Sequence, residues 1–213
     1  MHRCDDLSFY PYSKEMLPEY VGEGKGKYFN VNVAWQTGQV VDEINREKNT
    51  LSELGNNEYR YACDQLLFPM VQEFAPDIII ISCGFDGGIH DFLGWSQLSP
   101  LLYGYMTHKL NKICDKILVV QEGGYNVDFL GMHASGVVSA LIRGPGQEGL
   151  AQSNGKTSQQ QEDYSWIQST EADHDVGINS ISQIDRSKAK AWAIKNVEAT
   201  KSAHFEGWKC LQS

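Results

Sequence analysis

Two apolar runs without polar alternation constrain this chain more than anything else in it. Ile78-Ile-Ile-Ile81 leads into Ser82-Cys-Gly-Phe-Asp86-Gly-Gly, and Ile117-Leu-Val-Val120 leads into Gln-Glu-Gly-Gly-Tyr125-Asn. An unalternating run of this kind suits a strand covered on both faces, as in a parallel sheet. Parallel neighbours need a crossover, and the intervening segment supplies one. Ser99-Pro100 reads as an N-cap followed by proline in the first turn, and Leu102, Tyr105, Met106, Leu110 and Ile113 then form an apolar stripe. After the second run, Asn126 is placed to cap a helix with Leu130, Ala134, Val137, Val138 and Leu141 on one face, and Arg143-Gly-Pro145 stops it. Strand, helix, strand, helix predicts an α/β fold with a mainly parallel sheet and flanking helices.

Around this unit the pattern is looser. Tyr28–Val33 is rich in β-branched and aromatic residues and reads as a strand. Residues 36–57 read as a loop with room for a short helix. Glu58 to Phe74 has a helical apolar period that Pro69 should kink or divide. Residues 1–145 therefore form the main unit. The composition turns polar and Gly-, Ser- and Gln-rich beyond it, so 146–182 reads as a linker or surface excursion. Residues 183–213 regain helical character as a closing helix and tail, with Trp192 and Trp208 expected to dock back.

The chain of 213 residues carries a formal charge of −9, which argues against nucleic-acid binding by bulk electrostatics. No apolar run approaches the ~20 residues of a membrane helix. Met1-His-Arg-Cys-Asp-Asp lacks the apolar stretch of a signal peptide, so the expected compartment is the cytosol or nucleus. Cys4, Cys63, Cys83, Cys114 and Cys210 are scattered, without Cys-x-x-Cys spacing, and read as reduced thiols. The Gly22-x-Gly24-x-Gly26-Lys27 run precedes a predicted strand instead of following one, and P-loop spacing is absent. No G-x-S-x-G elbow occurs, so a serine hydrolase is not supported.

Asp86 and Tyr125 each follow a strand of one βαβ unit. They should emerge on the same sheet edge, where open α/β sheets bind ligands. A carboxylate there can hold a metal, and a phenol can steady a developing negative charge. The spacing alone equally allows Asp86 to cap a turn and Tyr125 to pack.

Four segments in order carry a family resemblance. They are His2-Arg3 with Phe9-Tyr10-Pro11, Gly24-Lys-Gly-Lys-Tyr-Phe-Asn-Val-Asn-Val33, Ser82-Cys-Gly-Phe-Asp86-Gly-Gly with Asp91-Phe-Leu93-Gly94, and Glu122-Gly-Gly-Tyr125-Asn126. Together they resemble the C-terminal half of the zinc-dependent histone deacetylase domain, in its class II-like form. The resemblance implies a partial arginase/deacetylase fold and hydrolysis of acetyl-lysine amides on proteins such as histone tails. It implies Zn2+ as cofactor, chromatin-complex subunits as further partners, and a nuclear or cytoplasmic location. By the same resemblance Asp86 is a zinc ligand and Tyr125 the oxyanion donor. Tyr10 and Leu93 are walls of the acetyl-lysine tunnel, and Gly124 lies at its floor. The family's Asp-x-His zinc pair and tandem histidines match no segment of this chain, so the chain by itself is expected to be inactive. Two alternatives stay open: a catalytically silent fragment with a binding or regulatory role, and an acetylpolyamine amidohydrolase. His2, His90, His108, His133, His174 and His204 are read as structural, packing or solvated groups instead of ligands.

Overall fold

The computed structural model describes residues 1–39, 52–144, 167 and 169–212. At the N-terminus His2–Arg3 (β1) pairs in parallel with Ala34–Trp35 (β2). The strand expected over Tyr28–Val33 does not form. Its alternate carbonyls are satisfied by side chains from the C-terminal end of the chain instead. Trp208 Nε1 donates to the Tyr28 carbonyl at 2.8 Å, and Thr200 Oγ1 donates to that of Asn32 at 2.8 Å. His204 Nε2 lies 2.9 Å from the Asn30 carbonyl. An extended segment has its period of two met by residues 200, 204 and 208, one face of the chain's last helix and the residue four beyond. These carbonyls are paired without a sheet.

The helix expected over Glu58–Phe74 is present in two pieces, Asn56–Ala62 (α1) and Phe68–Phe74 (α2), joined by a π turn over Cys63–Leu67. Pro69 has no N–H to give the carbonyl four residues back. The winding relaxes upstream of it, and the Phe68 N–H reaches the Cys63 carbonyl.

The central unit is Ile79–Cys83 (β3), Pro100–Ile113 (α3), Ile117–Gln121 (β4) and Val127–Arg143 (α4). β3 and β4 are parallel, with Ile79 opposite Ile117 and Cys83 opposite Gln121. α3 and α4 pack closely. A Cβ on Gly136 would come within 2.1 Å of the Pro100 carbonyl oxygen, so only glycine allows this approach. One sheet face, with Ile79, Ile81, Cys83, Ile117 and Val119, packs into the core with Leu102, Tyr105, Leu110 and Val137. The other face is open, contrary to the expectation that both would be covered. Ile80 is 62% exposed and Leu118, its register partner, 51%. Among the described residues the crossover helix α3 and the following helix α4 lie on the inner side, and no layer covers the outer one.

Ser99 precedes α3 as expected, but its side chain makes no capping bond. The cap comes from Asp173 in Glu171–Asp175 (α5), whose Oδ1 accepts the Leu101 N–H at 2.9 Å. Asp173 is fully buried, and Ala172 and Ile181 are buried beside the core. Residues 169–182, placed by the sequence in a polar excursion, thus pack onto the main unit, while 145–166 and 168 lie outside the described residues. The closing helix is Ala191–His204 (α6). Its buried stripe is Ala193, Val197, Thr200 and His204. Trp208 docks as expected, whereas Phe205 is 51% exposed. All five cysteines are unpaired, and no described helix is long and apolar enough to cross a membrane.

Candidate functional site

The strand ladder sets the site's geometry. Beyond the ends of β3 and β4 the pairing continues, with the Glu122 N–H on the Cys83 carbonyl at 3.2 Å and the Phe85 N–H on the Gly123 carbonyl at 3.1 Å. The two Gly-rich turns therefore leave the sheet edge side by side. The Asp86 carboxylate lies over the second turn, since a Cβ on Gly123 would stand 3.0 Å from Asp86 Oδ1. Gly124 follows with φ +122°, a backbone state that favours glycine, and its position lies against Phe85 and Leu130.

Asp86 is half-buried. Burial pushes its carboxyl above the usual carboxylate range, its own N–H and that of Gly87 pull it down, and Asp91 nearby adds to the rise. No Lys, Arg or His among the described residues forms an ion pair with it. A partly desolvated, unpaired carboxylate at a sheet edge suits a cation. Zinc needs three or four ligands, however, and the described residues contain no group of three His, Cys, Asp or Glu that could hold a metal ion. Asp86 fits the role of one ligand, and the described residues do not complete a site.

Asp86 and Tyr10 both line a cleft of about 760 Å³, together with His2, Arg3, Phe9, Gly84 and Gly94. Tyr10 is 73% exposed at its mouth. Leu93, Gly124 and Tyr125 do not line that cleft. Tyr125 is 48% exposed, and its backbone is tied to the Asp86 turn.

Those ties use residues to which the sequence assigned no role. Asp91 is buried, and Arg3, also buried, donates to the Gly94 carbonyl at 3.2 Å and pairs with Asp5. Asp5 in turn accepts from the Thr37 N–H and hydroxyl at 2.6 and 2.8 Å, so the N-terminal segment is locked to the turn after Asp86. The motifs His2-Arg3 and Asp91-Phe-Leu93-Gly94 were the available signal. The histidines behave as packing or tethering groups. His133 is buried against Gly88 with Nε2 3.0 Å from the Ile89 carbonyl, and burial lowers its pKa. His90 meets Asp175 at 2.6 Å and lies against Phe129. His108 is buried in α3.

Residues 1–141 match the model of the histone deacetylase domain. The chain belongs to the histone deacetylase family. Curated relatives include histone deacetylase HDA1 of Saccharomyces cerevisiae, 37% identical over 70% of this chain and 19% of that protein. Histone deacetylase 18 of Arabidopsis thaliana is 36% identical over 67% of this chain and 19% of its own length. Polyamine deacetylase HDAC10 of Danio rerio is 34% identical over 68% and 19%. Among solved structures, the histone deacetylase Clr3 superposes with a TM-score of 0.69 at 25% identity, covering 99% of this chain and 27% of that one. The HDA15 HD domain does so with a TM-score of 0.68 at 23% identity, covering 99% and 44%. The family assignment and the α/β fold of the deacetylase domain are thereby established. The chain spans about a fifth of the length of these curated relatives.

Proposed function

We propose that this chain contributes one edge of the active site of a zinc-dependent lysine deacetylase. The observation that carries the reading is the pair of adjoining turns at one sheet edge, with the Asp86 carboxylate seated over Gly123, two residues before Tyr125. Asp86 would supply one ligand oxygen. Zinc, when bound, supplies Lewis acidity to the amide carbonyl and acidifies water. The Tyr125 phenol donates a hydrogen bond to the oxygen that gains negative charge, a contribution of about 3 kcal/mol for such a donor. Tyr10 and Leu93 flank the acetyl-lysine side chain, and Gly124 leaves room beneath it. The substrate class is an acetylated protein such as a histone tail, met in the nucleus or cytoplasm.

Two other readings each have an observation behind them. The relative named a polyamine deacetylase supports acetylated polyamines as substrates. The absence of a three-ligand group among the described residues supports a silent, partner-binding role. One experiment separates all three: isolate the native protein from its source cells through the Trp192–Trp208 segment. Its chain mass under denaturing conditions, zinc content and hydrolysis of an acetyl-lysine peptide and an N-acetylated polyamine are then measured. The expected result is a species well above 23.9 kDa that binds zinc and cleaves the peptide. A zinc-free, inactive species near 23.9 kDa would sink the deacetylase reading, and preference for the polyamine would replace the substrate.

A further inference from the structure

The Tyr125 side chain is 48% exposed, and no hydrogen bond reaches its hydroxyl among the described residues. With its ring half exposed and its hydroxyl without an anchor among the described residues, the placement of the phenol leans on its backbone. That backbone follows Gly123-Gly124, the least restrained dipeptide available. Among the described residues, one side chain bonds the Tyr125 backbone N–H itself. Asp91, only 5% exposed, accepts the Tyr125 N–H on Oδ2 at 2.7 Å. Its Oδ1 accepts the N–H groups of Leu93 at 2.8 Å and Gly94 at 3.1 Å. All three N–H groups converge on the two oxygens of one carboxylate. A second bond runs the other way, from Asn126 Nδ2 to the His90 carbonyl at 2.8 Å, while Asn126 Oδ1 caps α4 through the Asp128 N–H. Each turn thus reaches across to the other's backbone through one side chain.

We propose that Asp91 is the positioning residue for Tyr125, holding the phenol at a fixed distance from the Asp86 turn. The proposal rests on the reading of Tyr125 as the oxyanion donor. With three N–H groups on its two oxygens, Asp91 is committed to the backbone and is not itself a metal ligand. A donor that must stand within about half an ångström of its target needs such support. Asp91 supplies it by bridging residues 34 positions apart in the chain.

The test begins with amide hydrogen exchange on the unmodified 213-residue protein, in which the Tyr125 N–H should be strongly protected. In Asp91→Asn, one oxygen becomes an NH2 facing a backbone N–H. Protection at Tyr125 should fall about ten- to a hundredfold, the loss expected for a bond to a charged acceptor, while β3 and β4 amides stay protected. In the zinc-loaded deacetylase, Asp91→Asn should lower kcat with KM nearly unchanged. Added to Tyr125→Phe it should cost nothing further, because a residue acting only through the phenol has no effect once the phenol is gone. The proposal is overturned if the unmodified Tyr125 N–H exchanges like an unstructured amide, a result that does not depend on any variant folding. It is equally overturned if Asp91→Asn strips protection from β3 and β4 alike, or if the two substitutions simply add. Failure of the underlying reading looks different: Tyr125→Phe then leaves turnover intact while the exchange pattern of Asp91→Asn persists.

Discussion

At the residue scale, the site is a question of which polar groups are free and which are spent. Asp91 and Asp173 are buried carboxylates that accept N–H groups from distant segments of the chain, whereas half-buried Asp86 accepts from its own N–H and that of Gly87 and has no cationic partner among the described residues. That contrast assigns structure to the first two and leaves chemistry to the third. In the zinc-loaded deacetylase, Asp86→Ala should abolish metal binding, read by metal analysis. Tyr125→Phe should retain the metal and lower turnover on an acetyl-lysine peptide about 100-fold or more. An unchanged rate would remove Tyr125 from the mechanism. His2 offers a separate test on stability. Burial drives its imidazole from 6.5 down to about 4, with Nε2 at the Met16 carbonyl. The unfolded chain therefore binds a proton between pH 6.5 and about 4 that the folded chain refuses. Its contribution is complete above pH 6.5 and is lost as the pH falls through that window, by about 1–2 kcal/mol after allowance for partial exposure. Urea unfolding at a series of pH values should show this slope, and His2→Gln should flatten it.

At the element scale, single side chains decide how segments meet. Asp173 caps α3 through Leu101, and its Oδ2 also accepts from the Thr170 N–H and hydroxyl at 2.8 and 3.0 Å, which starts α5. Asp173→Ala would leave these buried donors without acceptors, a loss of about 2–3 kcal/mol and roughly 5–10 °C in Tm. A thermal scan showing no shift would mean that α3 does not depend on this cap. Much of this level was legible. β3, β4, α3 and α4 followed from unalternating apolar runs, a Ser-Pro start and a Gly-Pro stop. The division of α1 from α2 was legible through Pro69, though its position in the π turn was not. The proline removes a donor, while local packing chooses where the helix absorbs the loss.

At the scale of the whole molecule, the open face of the β3–β4 sheet stands out. Ile78, Ile80, Leu118 and Val120 are each more than 40% exposed on adjoining strands, whereas apolar patches on folded proteins are normally limited. The HDA15 HD domain is more than twice the size of the part that this chain matches, at 44% coverage. A parallel sheet with both faces apolar calls for a second layer. As 213 residues alone, the protein should therefore self-associate, sedimenting above its 23.9 kDa. Ile80→Lys with Leu118→Lys should return it to the monomer. A monomer without those changes would show that the face tolerates water.

What the sequence determined by itself was local and periodic. It included strands β3 and β4, the Gly-rich turns that end them, and the emergence of Asp86 and Tyr125 on one edge, because strand direction and turn chemistry are written in neighbouring residues. What the tertiary structure decided was every pairing between distant polar groups. Tyr28–Val33 has the pattern of a strand, yet alternate carbonyls went to Thr200, His204 and Trp208, because α6 and the residue four beyond it presented donors at the right spacing where no strand did. Asp173 looks like a surface carboxylate in a polar stretch, and Asp91 opens a loop motif to which no role was assigned. They became buried because N–H groups 34 and 72 residues away converge on them. A buried carboxylate is stable only when such donors reach it, and the fold alone brings them there.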